Sequence, residues 1–427
     1  MNVSNHLLIM ALACLTLHLS AQFTHTHLDY QLTSLDEYDA EGWVVYLPSV
    51  SASLVSSGYT YGDLYDAETK TLSLARAAEQ NSDLNVLANV RGSYGGVEWR
   101  NGNWGLTANH EWVADISATV PMESVQLLVQ GNVNIENRNV IIDPSVAYQK
   151  IHRLSIGGYL AGENGMIGAK VHLLSGVESL YTESLKVEIN AQEDFFALDF
   201  RKNISVMSSG VINYNGLDDI EYIGGDQVYT PVPITTNTGI GFSVYGKANL
   251  GDKLRLYGII DDIGSIRWTR QAVTYTDQGR SSFSGIDIRD AYLNDEEYNL
   301  QDTLYSLLSI EKDVSPFTSS IGLSLLAGLQ YDLSDQLSLG VSYRGRSING
   351  KLYSVADITA RYALTDWLTL SLGNRLAAQK LLNIGLGVEL SIADRFGLVM
   401  RTTNPWAFGK YYDMPYGDFS LGMSYRM

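Results

Sequence analysis

The feature that most constrains this chain is a strand–turn–strand unit, centred on aspartate, that occurs four times. Tyr331-Asp332-Leu333-Ser334-Asp335-Gln336-Leu337-Ser338-Leu339 reads as the end of one strand, a tight polar turn and the start of the next. The same order of apolar residue, small residue, Asp, any residue and apolar residue recurs at Leu250-Gly251-Asp252-Lys253-Leu254, at Leu364-Thr365-Asp366-Trp367-Leu368 and at Ile392-Ala393-Asp394-Arg395-Phe396. Asp335 and Asp366 are 31 residues apart (366 − 335), and Asp366 and Asp394 are 28 apart (394 − 366). Two strands of about ten residues, one short turn and one longer loop use up about that length, which is the rhythm of a transmembrane β-barrel. The repeat predicts Asp252, Asp335, Asp366 and Asp394 as equivalent turn residues on one, periplasmic, rim.

The strands between these turns alternate. Leu337, Leu339, Val341 and Tyr343 share one face, and Ser338, Gly340, Ser342 and Arg344 share the other. Leu382, Ile384, Leu386, Val388, Leu390 and Ile392 alternate with Asn383, Gly385, Gly387, Glu389 and Ser391. The last strand sets Phe419, Leu421, Met423, Tyr425 and Met427 against Ser420, Gly422, Ser424 and Arg426. A soluble sheet also alternates, but its wet face favours long charged side chains. Small polar residues with occasional charges suit a crowded barrel interior. On this reading Arg344, Asp357, Arg361, Glu389, Arg401 and Arg426 are candidate lumen-lining residues. They form either a polar pathway or ligand site, or an ion-pair network that packs the lumen.

Composition limits the alternatives. The 427 residues carry a net charge of −18, which disfavours nucleic acid, whose phosphates call for a basic stripe. Thirty-nine Gly, 27 Tyr and only 8 Pro, with a mean hydropathy of −0.04, fit neither a disordered chain nor a helical membrane protein. Residues 1–21 read as a secretory signal: Leu7 to Leu15 is its apolar core, and Leu19-Ser20-Ala21 before Gln22 suits cleavage. Cys14, the only cysteine, lies inside that segment, so the mature chain is expected to hold no disulfide and no thiolate site. No later run is long and apolar enough for a transmembrane helix.

Along the chain, residues 22–42 read as an N-terminal extension or plug, and 43–427 as the barrel. Leu84 to Arg100 and Trp104 to Val120 flank Asn101-Gly102-Asn103, a hairpin signal. Strands are predicted at Ser145 to Ile151, Arg153 to Ala161, Met166 to Ser175, Ser184 to Ala191 and Phe195 to Ser208, and again from Thr236. Leu72 to Glu79 has a short helical pattern. Residues 268–316 read as one long loop, helical around Leu300, Leu304, Leu307 and Leu308. The fold expected is all-β, a transmembrane antiparallel β-barrel of about 14 to 16 strands.

No catalytic motif is present: no Gly-x-Ser-x-Gly, no Walker loop and no His-Glu-x-x-His. His25-Thr26-His27 has metal-like spacing but too few ligands for zinc, and His152 and His172 stand isolated. The acidic stretches around Asp218, Asp219 and Asp226, and around Asp287 to Glu297, lack the spacing of an EF-hand. No enzyme activity, cofactor or metal is expected.

Several segments carry a resemblance. Thr238-Gly239-Ile240-Gly241-Phe242-Ser243-Val244-Tyr245-Gly246-Lys247-Ala248-Asn249-Leu250-Gly251-Asp252-Lys253-Leu254, Asp262-Ile263-Gly264-Ser265-Ile266-Arg267-Trp268, Phe283-Ser284-Gly285-Ile286-Asp287-Ile288 and Gly168-Ala169-Lys170-Val171-His172-Leu173-Leu174-Ser175-Gly176 resemble a Bacteroidota family of uncharacterised outer-membrane proteins. The resemblance implies a secreted precursor and an outer-membrane barrel, broadly similar to FadL-type transporters and to barrel partners of the type IX secretion system. Its implied partners are outer-membrane lipid and either hydrophobic small molecules or envelope and secretion proteins. A soluble or surface-attached β protein that binds glycan or protein through its acidic loops is the alternative.

Overall fold

The computed structural model describes residues 41–57, 65–66, 71–72, 83–130, 139–191, 198–216, 219–223, 237–283, 309–348, 351–376, 384–393, 395–403 and 416–427. The expected signal segment, His25 and His27, nearly all of the predicted extension and Asp394 lie outside these residues, as do the helical stretch before Leu308 and all but Leu72 of the helical pattern up to Glu79.

The first strands are β1 (Gly42–Tyr46) and β2 (Ser49–Ser57), separated by Leu47-Pro48. A small hairpin, β3 (Tyr65–Asp66) and β4 (Thr71–Leu72), precedes β5 (Leu84–Asn101) and β6 (Trp104–Val120). The helix α1 (Met122–Gln130) follows Pro121, and its first N–H donates to the Asp83 carboxylate at 3.0 Å. Next come β7 (Asn139–Ile142), β8 (Ser145–Gly162), β9 (Gly165–Ala191), β10 (Leu198–Ser209), β11 (Ile212–Gly216) and β12 (Asp219–Tyr222). The centre of the chain gives β13 (Thr238–Leu250), β14 (Leu254–Trp268), β15 (Ala272–Phe283), β16 (Glu311–Asp313) and β17 (Phe317–Ser320). The last third gives β18 (Leu323–Asp332), β19 (Leu337–Ile348), β20 (Lys351–Thr365), β21 (Leu368–Leu376), β22 (Ile384–Ile392), β23 (Phe396–Thr403) and β24 (Tyr416–Arg426).

These strands close into a 14-stranded antiparallel barrel. The circuit runs from β1 and β2, which act as one broken strand, through β5, β6, β8, β9, β13, β14 and β18 to β24. β24 then pairs back onto both β1 and β2. Closure leaves no open edge, the requirement for a sheet in hydrocarbon. Backbone bonds stitch the short-turn rim from turn to turn: Asn249 to Asn164, Asp332 to Lys253, Ala363 to Gln336, Ser391 to Trp367 and Met427 to Trp43. Asp252, Asp335 and Asp366 sit in the turns of this rim.

The opposite rim rises on one side. β9 outruns the barrel and carries β10 on its upper half, where Ser209 lies opposite Ser179, while β13 re-enters at Thr238 opposite Ser175. β15 continues the line of β14 upward and pairs along its length with β10. Residues 268–316 are therefore not one loop, because Ala272–Phe283 is strand. Two breaks expected lower down are also absent. β8 runs unbroken through His152 and through Gly157-Gly158, which pair in register with Thr107 and Leu106. β9 likewise continues through residues 176–183, with one register shift taken up opposite Lys150 and Ile151 on β8 and a second opposite Ser205 and Val206 on β10.

Side chains on the outer face are apolar on every side of the barrel. Leu106, Ile156, Leu160, Ile167, Leu250, Ile358, Leu372 and Ile392 are each more than half exposed. Trp43, Trp99 and Trp104 cluster at the short-turn end, with the Trp99 and Trp104 rings edge to face at 4.9 Å. A soluble protein does not leave so wide an apolar surface uncovered. Among the described residues, no helix is long and apolar enough to cross a membrane.

Candidate functional site

The lumen is filled in layers along β14. Nearest the short-turn rim, inward tyrosines lie across glycines of the neighbouring strand. Tyr159 faces Gly105, Tyr245 faces Gly168 and Tyr257 faces Gly328. A Cβ on any of these glycines would come within 2.4 Å of the facing ring, so only glycine admits the aromatic there. Tyr159 donates to Glu98 at 3.0 Å, and Tyr46 donates to the same carboxylate.

Above this layer β14 is bulged, with one register step between Phe242 and Val244 spanning Asp261 and Asp262. Asp262 has a φ of 63°. The bulge turns two consecutive carboxylates into the lumen, where strict alternation would have sent one of them out. Three arginines converge on them. Arg153 on β8 binds Asp261 at 3.2 Å and also Asp262, and it pairs with Glu111 on β6. Arg91 on β5 reaches Asp262 at 2.6 Å, and Arg346 on β19 reaches it at 3.1 Å while also holding Asp115 on β6. All seven groups are buried. Four acids meet three guanidiniums and the neighbouring buried Lys170, so the layer is close to charge-balanced. A buried ionic layer of this kind needs every member paired, because a charge left alone in the interior is costly.

His172, isolated in sequence, joins this layer. Its Nδ1 is 2.8 Å from Ser155 Oγ, and its Nε2 meets Ser243, which donates to Asp261. Ser155, His172, Ser243 and Asp261 are almost fully buried, and none of them lines the cavity described below. The set is a packed polar chain.

Farther from the rim lies an apolar layer around Trp268, with Val113, Ile151, Leu174, Ile266, Phe317 and Ile321. The Trp268 indole donates to Ser319 at 2.8 Å. Asn237 ties off the strand interruption by accepting the backbone N–H groups of Thr269 and Arg270 at 2.8 and 2.9 Å.

The remaining side of the lumen holds a cavity of about 130 Å³ against β14 and β18 to β24. The candidate lumen residues divide around it. All six lie on inward positions of their strands. Arg344, Asp357, Arg361 and Arg401 line the cavity, whereas Glu389 and Arg426 do not. Arg344 Nε is 3.4 Å from Asp357, and Glu389 binds Arg361 at 2.6 Å and Arg401 at 2.5 Å. Lys247 and Arg255 also line it, with Arg255 held by Asp332 at 2.8 Å, as do Asp418, Tyr257 and Leu326. The ionic layer went unread in the sequence. Its members span from Arg91 to Arg346, and the bulge hides the shared face of Asp261 and Asp262. The visible signal was the alternate spacing of Glu111, Val113 and Asp115 on β6, which puts two acids on one face.

A closed antiparallel barrel with short turns on one rim, an apolar outer belt and a charged lumen defines the class: a transmembrane β-barrel of the outer-membrane type. Within that class, the model described as "Family of unknown function (DUF5723)" matches residues 39–398, and the chain belongs to that family. No curated protein matches the sequence. Among solved structures the chain is similar to the toluene transporter TbuX of Ralstonia pickettii, at 9% identity over 91% of this chain and 90% of that one, with a TM-score of 0.37. It is similar to the toluene transporter TodX of Pseudomonas putida, at 9% identity over 95% of each chain, with a TM-score of 0.40. It is also similar to a FadL homologue of Pseudomonas aeruginosa, at 12% identity over 90% of each chain, with a TM-score of 0.35.

Proposed function

We propose that this protein is an outer-membrane β-barrel that passes hydrophobic small molecules along the unsealed side of its lumen. The observation that carries the membrane assignment is the apolar belt, present on all sides of a barrel with no open edge. A soluble or surface-attached β protein would have to leave that belt in water. The route is supported by the cavity beside β18 to β24, where Tyr257 and Leu326 offer apolar surface and the arginine stems add methylene groups. The four Asp-centred turns, Asp394 included, then face the periplasm, and Arg344, Asp357, Arg361 and Arg401 belong to the polar wall of the route, with Glu389 pairing Arg361 and Arg401 from behind it and Arg426 on an inward position outside it.

A second reading, an envelope or secretion assembly partner, draws on the packed half of the lumen. The ionic and Trp268 layers fill the space a wide channel would need. One measurement tests the membrane assignment that both readings share, and a second separates them. Detergent-extracted protein should migrate faster unboiled than boiled, and identical migration together with recovery in the soluble periplasm would end the membrane assignment. Proteoliposomes should take up a small aromatic solute faster than protein-free vesicles. A folded barrel without uptake would leave the partner role.

A further inference from the structure

A recess of about 490 Å³ lies on the outside of the wall, across β6, β8, β9 and β13 close to the short-turn rim. Trp104, Leu106, Leu160, Ile167 and Val244 line it, and each is more than one-third exposed. Two rows of outward residues shape it. Nearest the rim, Trp104 pairs with Leu160 and Leu160 with Ile167. One row farther up, Leu106 pairs with Gly158, Gly158 with Ala169 and Ala169 with Val244. The ends of that row are large and its middle is small. Leu106 leans inward as one wall, its Cδ2 3.3 Å from where a Cβ on Gly158 would stand. On the next row up, Ile156 and its partner Val171 stand out again, both exposed.

The same stretch of wall is packed from within by rings, since Tyr159 and Tyr245 lie across Gly105 and Gly168 on the lumen side. Its outer side at Gly158 and Ala169 presents only backbone and one methyl group. Atoms with neighbours on one side alone forgo dispersion contacts on the other. Position decides what supplies them. The recess is continuous with the apolar belt, so in a bilayer it is met by hydrocarbon. No acidic or basic side chain lines it, so it has no means of reading a charged headgroup. Trp104 stands at its rim end, its ring 4.9 Å from that of Trp99, where an aromatic girdle marks the edge of the hydrocarbon. An apolar cavity of about 150 Å³ accommodates benzene, and this recess is large enough for a chain.

We propose that this recess is a lipid site: one acyl chain of a phospholipid in the leaflet on the short-turn side lies over Gly158 and Ala169, between Leu106 and Val244, and is held there more firmly than lipid elsewhere on the belt. The chain touches a floor and two walls instead of one flat surface, and within hydrocarbon it is this packing, not escape from water, that favours one contact over another. The site rests on the membrane assignment above, and the two are read by separate measurements.

The full chain, folded in neutral detergent and checked by heat-modifiable migration, is loaded with dimyristoyl phosphatidylethanolamine and followed by native mass spectrometry as detergent washes strip lipid away. One lipid should stay on most barrels after the rest have left. Dimyristoyl phosphatidylglycerol should be kept equally, and dihexanoyl phosphatidylethanolamine should be lost. Ala169→Leu fills the recess with a branched apolar side chain and should lower retention at least about fivefold. Ala360→Leu makes the same change at an outward position of β20, opposite the exposed Leu372, and should leave retention as it was. A featureless belt would respond alike to both. Should Ala169→Leu fail to fold, Ile167→Ala, which removes a wall at an exposed position, carries the same test and should also lower retention. Full retention in the folded recess variant, equal loss in Ala360→Leu, retention of the dihexanoyl lipid or no retained lipid would each overturn the proposal. A mass of two chains that falls to one in Ala169→Leu would give the recess to a second copy and overturn it as well. A chain that migrates alike boiled and unboiled ends the membrane assignment, whereas a heat-modifiable barrel that keeps no lipid ends this site alone.

Discussion

Arg91 Nη2 on β5 lies 2.6 Å from Asp262 Oδ2 on β14, with β6, β8, β9 and β13 between them around the barrel wall. The pair is a strut through the lumen. It joins a strand near the start of the chain to a bulge past its middle.

Breaking that strut should be costly. Removing one partner of a buried ion pair typically costs about 3–5 kcal/mol, because the other charge stays behind. Asp262→Ala should lower the unfolding free energy of the barrel, read by urea titration in detergent, by that order. Asp262→Asn also loses the charge, but asparagine tolerates a φ of 63° better than alanine does. It should therefore be less damaging, by about 1 kcal/mol. Equal loss in the two variants would show that the backbone conformation at the bulge contributes nothing.

Arg346 holds Asp115 and Asp262 together across the lumen. Arg346→Ala removes that tie and leaves two acids facing each other. The expected result is a faster leak of a small neutral solute such as sucrose from proteoliposomes. An unchanged leak rate would mean that the Trp268 layer seals this side by itself.

Trp268 is fully buried against Gly176, where a Cβ would come within 2.3 Å of its ring. Trp268→Ala should cost about 3–5 kcal/mol through the cavity it leaves. Gly176→Ala attacks the same contact from the other side by overpacking, and should cost about 1–3 kcal/mol. Both effects are read by equilibrium unfolding in detergent. The single variants should not add in the double variant, since the smaller side chain at 268 makes room for the methyl group at 176.

Leu372 on β21 and Leu333 in the β18–β19 turn are both exposed, at 56% and 47%. In water alone the two would respond alike to a charge. In a bilayer, Leu372→Arg lies within the apolar belt and should cost about 2–4 kcal/mol, whereas Leu333→Arg at the rim should cost about 0–1 kcal/mol. Unfolding from lipid vesicles measures the difference.

The last third of the barrel was legible because its strands follow one rule. Every second residue from Leu337 to Tyr343 and from Ile384 to Ile392 is large and apolar, and the residues between are mostly Gly, Ser or charged. β8 and β9 were harder. His152 resembles a break between two strands, and only pairing to β6 shows that one strand continues through it. The upper strand β15 was lost inside a presumed loop because its partner β10 lies more than 60 residues earlier, with the β11–β12 hairpin in between. The charged wall of the cavity could be read from parity. The ionic layer could not, since a bulge breaks the parity at Asp261 and Asp262.

The short-turn rim closes where the Met427 N–H donates to the Trp43 carbonyl at 2.9 Å. β24 thus covers the edge that β1 and β2 would otherwise expose. Until β24 arrives, β2 and β23 each present a row of unsatisfied backbone groups, which lipid will not tolerate. Deletion of the eleven residues of β24, Tyr416–Arg426, should therefore yield a chain that never enters the bilayer rather than a slightly weaker barrel. The closure makes insertion all-or-none, because only β24 can cover the edges of β1 and β2 on one side and of β23 on the other.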